Sequence, residues 1–259
     1  MLKLILYAFL ILSLQAISQP MPNTVRVCLM DTELYPLWRK PGNETLPNPG
    51  VNIELQQYIA DELGHRIDWI RAPFARCLAL LRQNEVDLVN VASYNADRDR
   101  YGHYPKKDGQ LDIERHFKRD SYFAFRLPES EFSWDGKSFT NPSKLPIAIE
   151  IGASIRTFLN EKEIAVYEVS RASQAFGMLT RGRVAAVVTN QFQSIEYQSD
   201  AIEVIQPAVS NKEYYIMISS QFYRDYPEYS EQIWTLSELM REKHFVPLLE
   251  HYSDAKEWR

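Results

Sequence analysis

Ser93 and Arg98 are the residues of this chain whose types and spacing best suit the capture of a ligand. They stand in the run Ser93-Tyr94-Asn95-Ala96-Asp97-Arg98, directly after the apolar stretch Leu88-Val89-Asn90-Val91-Ala92. That stretch reads as a short strand, so a hydroxyl marks its end and a guanidinium follows five residues later. Open α/β sheets bind their ligands at the carboxyl edge of their strands. Arginine offers a rigid, permanently charged fork that meets a carboxylate in two-point geometry. The chemistry implied is capture of a small anion or zwitterion. Alone, such an arginine could equally cap a surface turn, so the surrounding elements decide.

Other residues that could do chemistry are less well arranged. Asp31 and Glu33 are acids in the loop after the first strand. Catalysis would need a positioned acid or base with a shifted pKa, and neither stands in a catalytic motif. Ser154, in Gly152-Ala153-Ser154-Ile155-Arg156, lacks the flanking glycines of a nucleophile elbow. His65, His103, His116, His244 and His251 show no metal-ligand spacing. The nine glycines contain no phosphate-binding motif. No cofactor is expected.

The first eighteen residues read as a secretory signal. Lys3 is basic, Leu4–Leu14 is an apolar core too short to span a bilayer, and Ala16 and Ser18 are the small residues of a cleavage site. Cleavage is expected after Ser18, giving a soluble periplasmic chain of 241 residues. Cys28 lies ten residues beyond that cut, too far to be a lipid-anchor site. Loss of Lys3 leaves 28 basic against 34 acidic side chains, a net charge of −6. Such a balance argues against nucleic acid as a partner, because phosphate binding needs clustered positive charge.

Cys28 falls in the first strand and Cys77 in the first turn of a helix that could cover it. Both sit in apolar patterns, so they could be two buried thiols. An oxidising periplasm favours a disulfide.

Strand and helix signals alternate, which points to a parallel α/β design. Strand Val25–Met30 precedes a proline-rich loop. Helix Asn52–Leu63 follows, with Leu55, Tyr58, Ile59 and Leu63 as its apolar stripe, Asn52 as its cap and Gly64 as its stop. Strand Arg66–Arg71 leads to a helix opened by Pro73, with Asn84 in the stop position. The stretch from Arg98 to Asp120 is polar and reads as a loop or insertion, and Tyr122–Leu127 reads as extended. A second unit follows: strand Ile147–Ile151, a helix opened by Gly152-Ala153-Ser154, strand Ile164–Val169, a helix stopped by Gly182, and strand Val184–Thr189 ending at Asn190. Tyr214–Ser219 is a further strand, and the tail from about Pro227 to Tyr252 is helical. LLRQNEVDLVN and LTRGRVAAVVT echo each other, as two lobes of similar build would.

Four stretches together resemble the family 3 periplasmic solute-binding proteins of ABC importers, the type that includes the amino-acid receptors. They are DTELYPLW, PGVNIELQQYIADELG, NEVDLVNVASYNADR, and IEIGASIRTFL with GRVAAVVTN further on. The resemblance covers nearly all of the mature chain. It implies two Rossmann-like α/β lobes joined by two crossing hinge strands, the type II periplasmic-binding-protein fold. Lobe one would be residues 19–123 plus 216–259, lobe two 124–215, with hinges near Tyr122 and Tyr214.

The resemblance also assigns roles. Arg98 would pair with a ligand carboxylate and Ser93 would contact its polar ends. Tyr35 and Trp38 would form an aromatic wall, and Asp31 would sense a ligand side chain. Ser154 would bind from the second lobe, where helix N–H groups and dipole favour an anion. Where amino-acid receptors commonly carry an aspartate for the ligand's ammonium group, this chain has Asn190, which offers no ion pair. The expected ligand is therefore a small carboxylate, with an α-amino acid as one case. The expected mechanism is hinge closure on the solute, read by an ABC permease or a sensor membrane protein, with the chain a monomer. The rival reading is a lyase on the same scaffold, of the cyclohexadienyl dehydratase kind.

Overall fold

The computed structural model describes residues 22–254, Gln198 excepted. The leader over residues 1–18 and its cut after Ser18 lie outside the described residues. No helix among the described residues is long and apolar enough to cross a membrane.

The strands, in chain order, are β1 (Thr24–Met30), β2 (Arg66–Ala72), β3 (Leu88–Ser93), β4 (Lys106–Lys107), β5 (Gln110–Leu111), β6 (Lys118–Arg126), β7 (Ser133–Trp134), β8 (Phe139–Thr140), β9 (Ile147–Glu150), β10 (Val166–Val169), β11 (Ala186–Asn190) and β12 (Glu203–Ile218). The helices are α1 (Val51–Leu63), α2 (Phe74–Arg82), α3 (Ile155–Glu161), α4 (Ala172–Leu179), α5 (Gln191–Ser194), α6 (Ser220–Asp225) and α7 (Pro227–Asp254). Eight strands form one sheet in the order β10-β9-β11-β6-β12-β3-β1-β2. β2, β1 and β3 run parallel at one end, and β10, β9 and β11 run parallel at the other. Between them β6 and β12 pair antiparallel with each other and with their outer neighbours. The sheet is thus two parallel halves stitched by two crossing strands.

Alternation along each strand sends side chains to opposite faces, and each half of the sheet is covered on both. β1 shows the rule. Val25, Val27 and Leu29 enter the core beneath α1 and α7, while Cys28 enters the core beneath α2. The far half repeats the plan: Ile147 and Ile149 pack with Ile155 and Leu159 of α3, and Ala148 packs with Phe176 and Leu179 of α4. Four apolar clusters, two for each half, give the two halves separate cores.

The sequence stops hold. Gly64, Asn84 and Gly182 all take positive φ at helix ends. Asn52 does not cap α1 as expected. The cap position is Gly50, at φ 120°, where a Cβ would come within 2.6 Å of the Leu37 carbonyl oxygen. Only glycine fits so close to another backbone. Asn52 is instead fully buried in the first turn of α1, where its amide meets Asn90 of β3 at 3.5 Å. Pro73 sits one residue earlier than expected, as the cap of α2.

The larger correction concerns the crossing strands. Extended structure begins at Lys118 and Glu203, not near Tyr122 and Tyr214. The polar stretch read as a loop from Arg98 to Asp120 therefore ends inside the sheet. Its earlier part holds a 3-10 turn, Ala96–Arg100, and the short β4–β5 ribbon.

Candidate ligand cleft

β3 is buried along its whole length and delivers Ser93 to the seam between the two halves. The turn that follows is fixed by Asn95, whose side chain accepts from the Asp97 N–H at 3.0 Å. That turn brings Arg98 back onto the strand it left. Arg98 is only 6% exposed. One terminal nitrogen donates to the Ser93 carbonyl at 2.5 Å and to Ser93 Oγ at 2.9 Å. The other donates to the Gly152 carbonyl of the opposite half at 2.7 Å. Phe74 lies beneath the guanidinium, 5.0 Å from its ring centroid.

From the far side, the turn after β9 supplies Ser154. It occupies the cap position of α3, yet its hydroxyl makes no capping bond. It turns across the seam to Ser93 Oγ at 2.7 Å. Beside this pair Asn95 Nδ2 donates to Thr157 Oγ1 at 3.0 Å. At the outer rim Arg171 meets Asp31 at 3.5 Å. These side-chain contacts bridge the two halves, and the arginine and both serines at their centre are buried.

Ser93, Arg98, Trp38 and Asn190 line one cavity, and Ser154 meets Ser93 at its edge. Trp38 is 1% exposed, and its indole N–H donates to the Thr32 carbonyl at 2.7 Å. Tyr35 does not join them. Its hydroxyl donates to the Tyr252 carbonyl at 2.7 Å, so the ring is spent on docking the end of α7. Phe74 and Leu34 supply the apolar wall in its place. Asp31 faces the outer mouth, where it holds Arg171. Glu33 also lies at that mouth, accepting from the Lys40 N–H at 3.2 Å.

The floor of the cavity was not visible in the sequence. Lys118, Asp120 and Tyr122 alternate along β6 and so face one side, into the cavity. Lys118 Nζ and Asp120 Oδ2 form an ion pair at 2.8 Å, their side chains 3% and 1% exposed. The Lys118 ammonium also lies over the Tyr214 ring at 4.6 Å and the Phe192 ring at 5.0 Å. Asn190 donates to Asp120 Oδ2 at 3.4 Å and bonds the Tyr214 hydroxyl. Burial holds the Tyr122 and Tyr214 phenols protonated, as hydrogen-bonding groups. At the far wall Glu150 is bonded to Gln193, and burial pushes its carboxyl above the ordinary carboxylate range. The missed signal was the period-2 run Lys118-Arg119-Asp120-Ser121-Tyr122, masked by its charge. Among the described residues no cluster of His, Cys, Asp and Glu could hold a metal ion.

Away from the cleft, Cys28 and Cys77 form the expected disulfide, with Cα atoms 5.6 Å apart. It fastens α2 to β1 behind the wall that carries Phe74.

No protein-family model and no curated protein matches this sequence. Solved structures do. A mutant of ArgBP from T. maritima superposes with a TM-score of 0.70 at 16% identity, over 90% of this chain and 96% of that one. AbpA of Streptococcus pneumoniae, an amino acid ABC transporter substrate-binding protein bound to L-arginine, gives 0.66 at 14% identity over 89% and 94%. The ancestral amino acid-binding protein AncCDT-1, described as a precursor of cyclohexadienyl dehydratase, gives 0.65 at 16% identity over 89% and 95%. At such identities the likeness is one of architecture, and the chain has the type II periplasmic-binding-protein fold.

Proposed function

We propose that this chain is an exported solute-binding protein that encloses a small carboxylate-bearing molecule between two closing lobes. The observation that carries this reading is Arg98. A buried guanidinium stands at the seam of the two halves with no carboxylate partner among the described residues, held by two carbonyls and a hydroxyl. A buried cation is costly unless an anion joins it. A carboxylate inserted between Ser93 and Ser154 would complete the pairing. It would also exchange the direct serine-to-serine contact for contacts through the ligand.

Lobe one is residues 19–123 plus 216–259 and lobe two is 124–215 in this reading, with separate apolar cores in support. Ligand contacts to both lobes favour the closed form, which an ABC permease or a sensor membrane protein would recognise. A leader cut after Ser18 would deliver the chain to the periplasm, and the disulfide suits that compartment.

A second reading, a lyase on the same fold, has one observation in its favour. Glu150 is a half-buried carboxyl of raised pKa that lines the cleft, as a general acid would be. An enzyme would convert the molecule that stabilises it, and a receptor would return it unchanged.

The test is a thermal-shift screen of refolded protein against monocarboxylates, dicarboxylates, amino acids, amines and short peptides. Ligand at about a thousand times its Kd adds about 4 kcal/mol, a midpoint rise on the order of ten degrees for a chain of this size. The rise should occur with carboxylates and vanish in Arg98→Ala. A rise with amines alone, or one that survives in Arg98→Ala, would refute the reading. Mass analysis of the recovered ligand separates receptor from enzyme.

A further inference from the structure

The cleft holds a second buried cation that the capture of one carboxylate leaves unused. Ser93 of β3 pairs with Tyr214 of β12, and Tyr214 pairs in turn with Lys118 of β6. The three stand in one row across the sheet, so Lys118 lies two strand spacings from Ser93, about 10 Å backbone to backbone. Arg98 reaches in from the Ser93 end of that row and Lys118 from the other. Both line the same cavity.

The bonding capacity still open in the floor belongs to the cation. Lys118 carries three N–H donors, and one acceptor, Asp120, takes a hydrogen bond from it among the described residues. Asp120 is nearly spent. Its Oδ1 accepts from the Ser121 N–H at 2.8 Å, and its Oδ2 accepts from Lys118 at 2.8 Å and from Asn190 at 3.4 Å. An incoming ammonium would find little left on that carboxylate, whereas an incoming carboxylate would find open donors on Lys118. The charge inventory agrees. Arg98 and Lys118 are two cations facing one committed anion, Asp120, and Glu150 stands at the far wall bonded to Gln193. The Tyr214 and Phe192 rings fix the ammonium in place, so it meets a ligand already oriented.

We propose that the cleft is built for a short dicarboxylate, with one carboxylate on Arg98, Ser93 and Ser154 and the second on Lys118. This rests on the reading of the cleft as a carboxylate site and goes further, because it makes Lys118 the residue that sets ligand class. An α-amino group between the carboxylates is not required, since the floor offers it no uncommitted acid.

Titration calorimetry on the full mature chain tests this with succinate and glutarate, with butyrate and valerate as monocarboxylates of equal length, and with aspartate and glutamate. A charge-assisted hydrogen bond to Lys118 should make the dicarboxylates bind about tenfold or more tightly than their monocarboxylate partners. Lys118→Met alone would strand Asp120, so the informative variant is Lys118→Met with Asp120→Asn. Exchange of a whole buried pair for neutral groups is often tolerated. In that variant the dicarboxylate preference should shrink to within about threefold while circular dichroism shows a folded chain. Asp120→Asn alone should act in the opposite direction and strengthen dicarboxylate binding, because it leaves the Lys118 charge to the ligand. Equal affinity of wild-type protein for the two carboxylate series would overturn the proposal and leave the Arg98 site standing. A preference that survives in the double variant would overturn it too. Binding of no carboxylate at all would defeat both readings. Aspartate against succinate, and glutamate against glutarate, then decide whether an amino group is welcome.

Discussion

Each side chain at the cleft shows what its buried polar atoms require. Ser154 could have capped α3, and its residue type suggests that. Its hydroxyl instead spans to Ser93 at 2.7 Å. We predict that Ser154→Ala lowers carboxylate affinity about tenfold, the worth of one buried hydrogen bond of roughly 1 to 1.5 kcal/mol. Stability of the unliganded chain should fall by no more than about 1 kcal/mol, for the lost Ser93 contact, because α3 gains nothing from that hydroxyl as a cap. Calorimetric titration checks the first statement and a denaturant melt the second. Intact affinity would reduce Ser154 to a packing residue. At this scale the sequence marks Arg98, Ser93, Trp38 and Ser154 as candidates, because hydroxyl, guanidinium and indole chemistry attach to recognisable strand ends and loops, and the fold brings the four to one cavity and its edge. Tyr35 stands outside the cavity lining, because an aromatic in a loop can face a cleft or a helix equally well. Here α7 claims it through the Tyr252 carbonyl.

At the scale of elements, the parallel halves were readable and the crossing strands only in part: Tyr122–Leu127 and Tyr214–Ser219 read as extended, while the strands begin earlier, at Lys118 and Glu203. Apolar runs such as Leu88–Ala92 and Ala185–Val188 announce buried strands. Lys118–Tyr122 is a strand that buries charge, which hydrophobic periodicity cannot see. Its ion pair replaces the apolar residues that pattern analysis seeks. The disulfide is an element-scale device as well. Cys28 and Cys77 are 49 residues apart and join β1 to α2. By the chain-entropy argument, closing a loop of that length stabilises the fold by about 4 kcal/mol. Reduction, or Cys28→Ser with Cys77→Ser, should therefore lower the thermal midpoint by on the order of ten degrees for a chain of this size. Because α2 carries Phe74 beneath Arg98, ligand affinity should fall along with the midpoint. Recovery of both cysteines as free thiols from native protein would remove the bond.

The whole molecule depends on contacts between segments far apart in the chain, and His65 is one that responds to pH. It sits between α1 and β2, 5% exposed, with its Nδ1 bonded to the Tyr229 hydroxyl of α7. Burial lowers its pKa from 6.5 to about 4, with Asp61 pulling weakly the other way. Folding therefore favours the neutral ring. The stability so gained is complete above pH 6.5 and is lost as the pH falls through 4. We predict a thermal midpoint that declines over this window and a flatter decline in His65→Gln. Parallel profiles for the two proteins would assign the acid sensitivity to other groups.

The sequence by itself determined that strands and helices alternate, that one strand ends in a hydroxyl followed by a guanidinium, and that two cysteines occupy the first strand and the helix able to cover it. These are local facts, carried by periodicity and spacing within a few residues. Tertiary structure alone decided that Lys118 and Asp120 form the cleft floor and that Asp31 faces Arg171 of the opposite half. It also decided that the Arg98 guanidinium reaches across to Gly152. The reason is physical. Each of these depends on strand register and on partners that are distant in sequence, and a charged residue declares itself as solvent-facing or cleft-facing only when the partner that satisfies it is known.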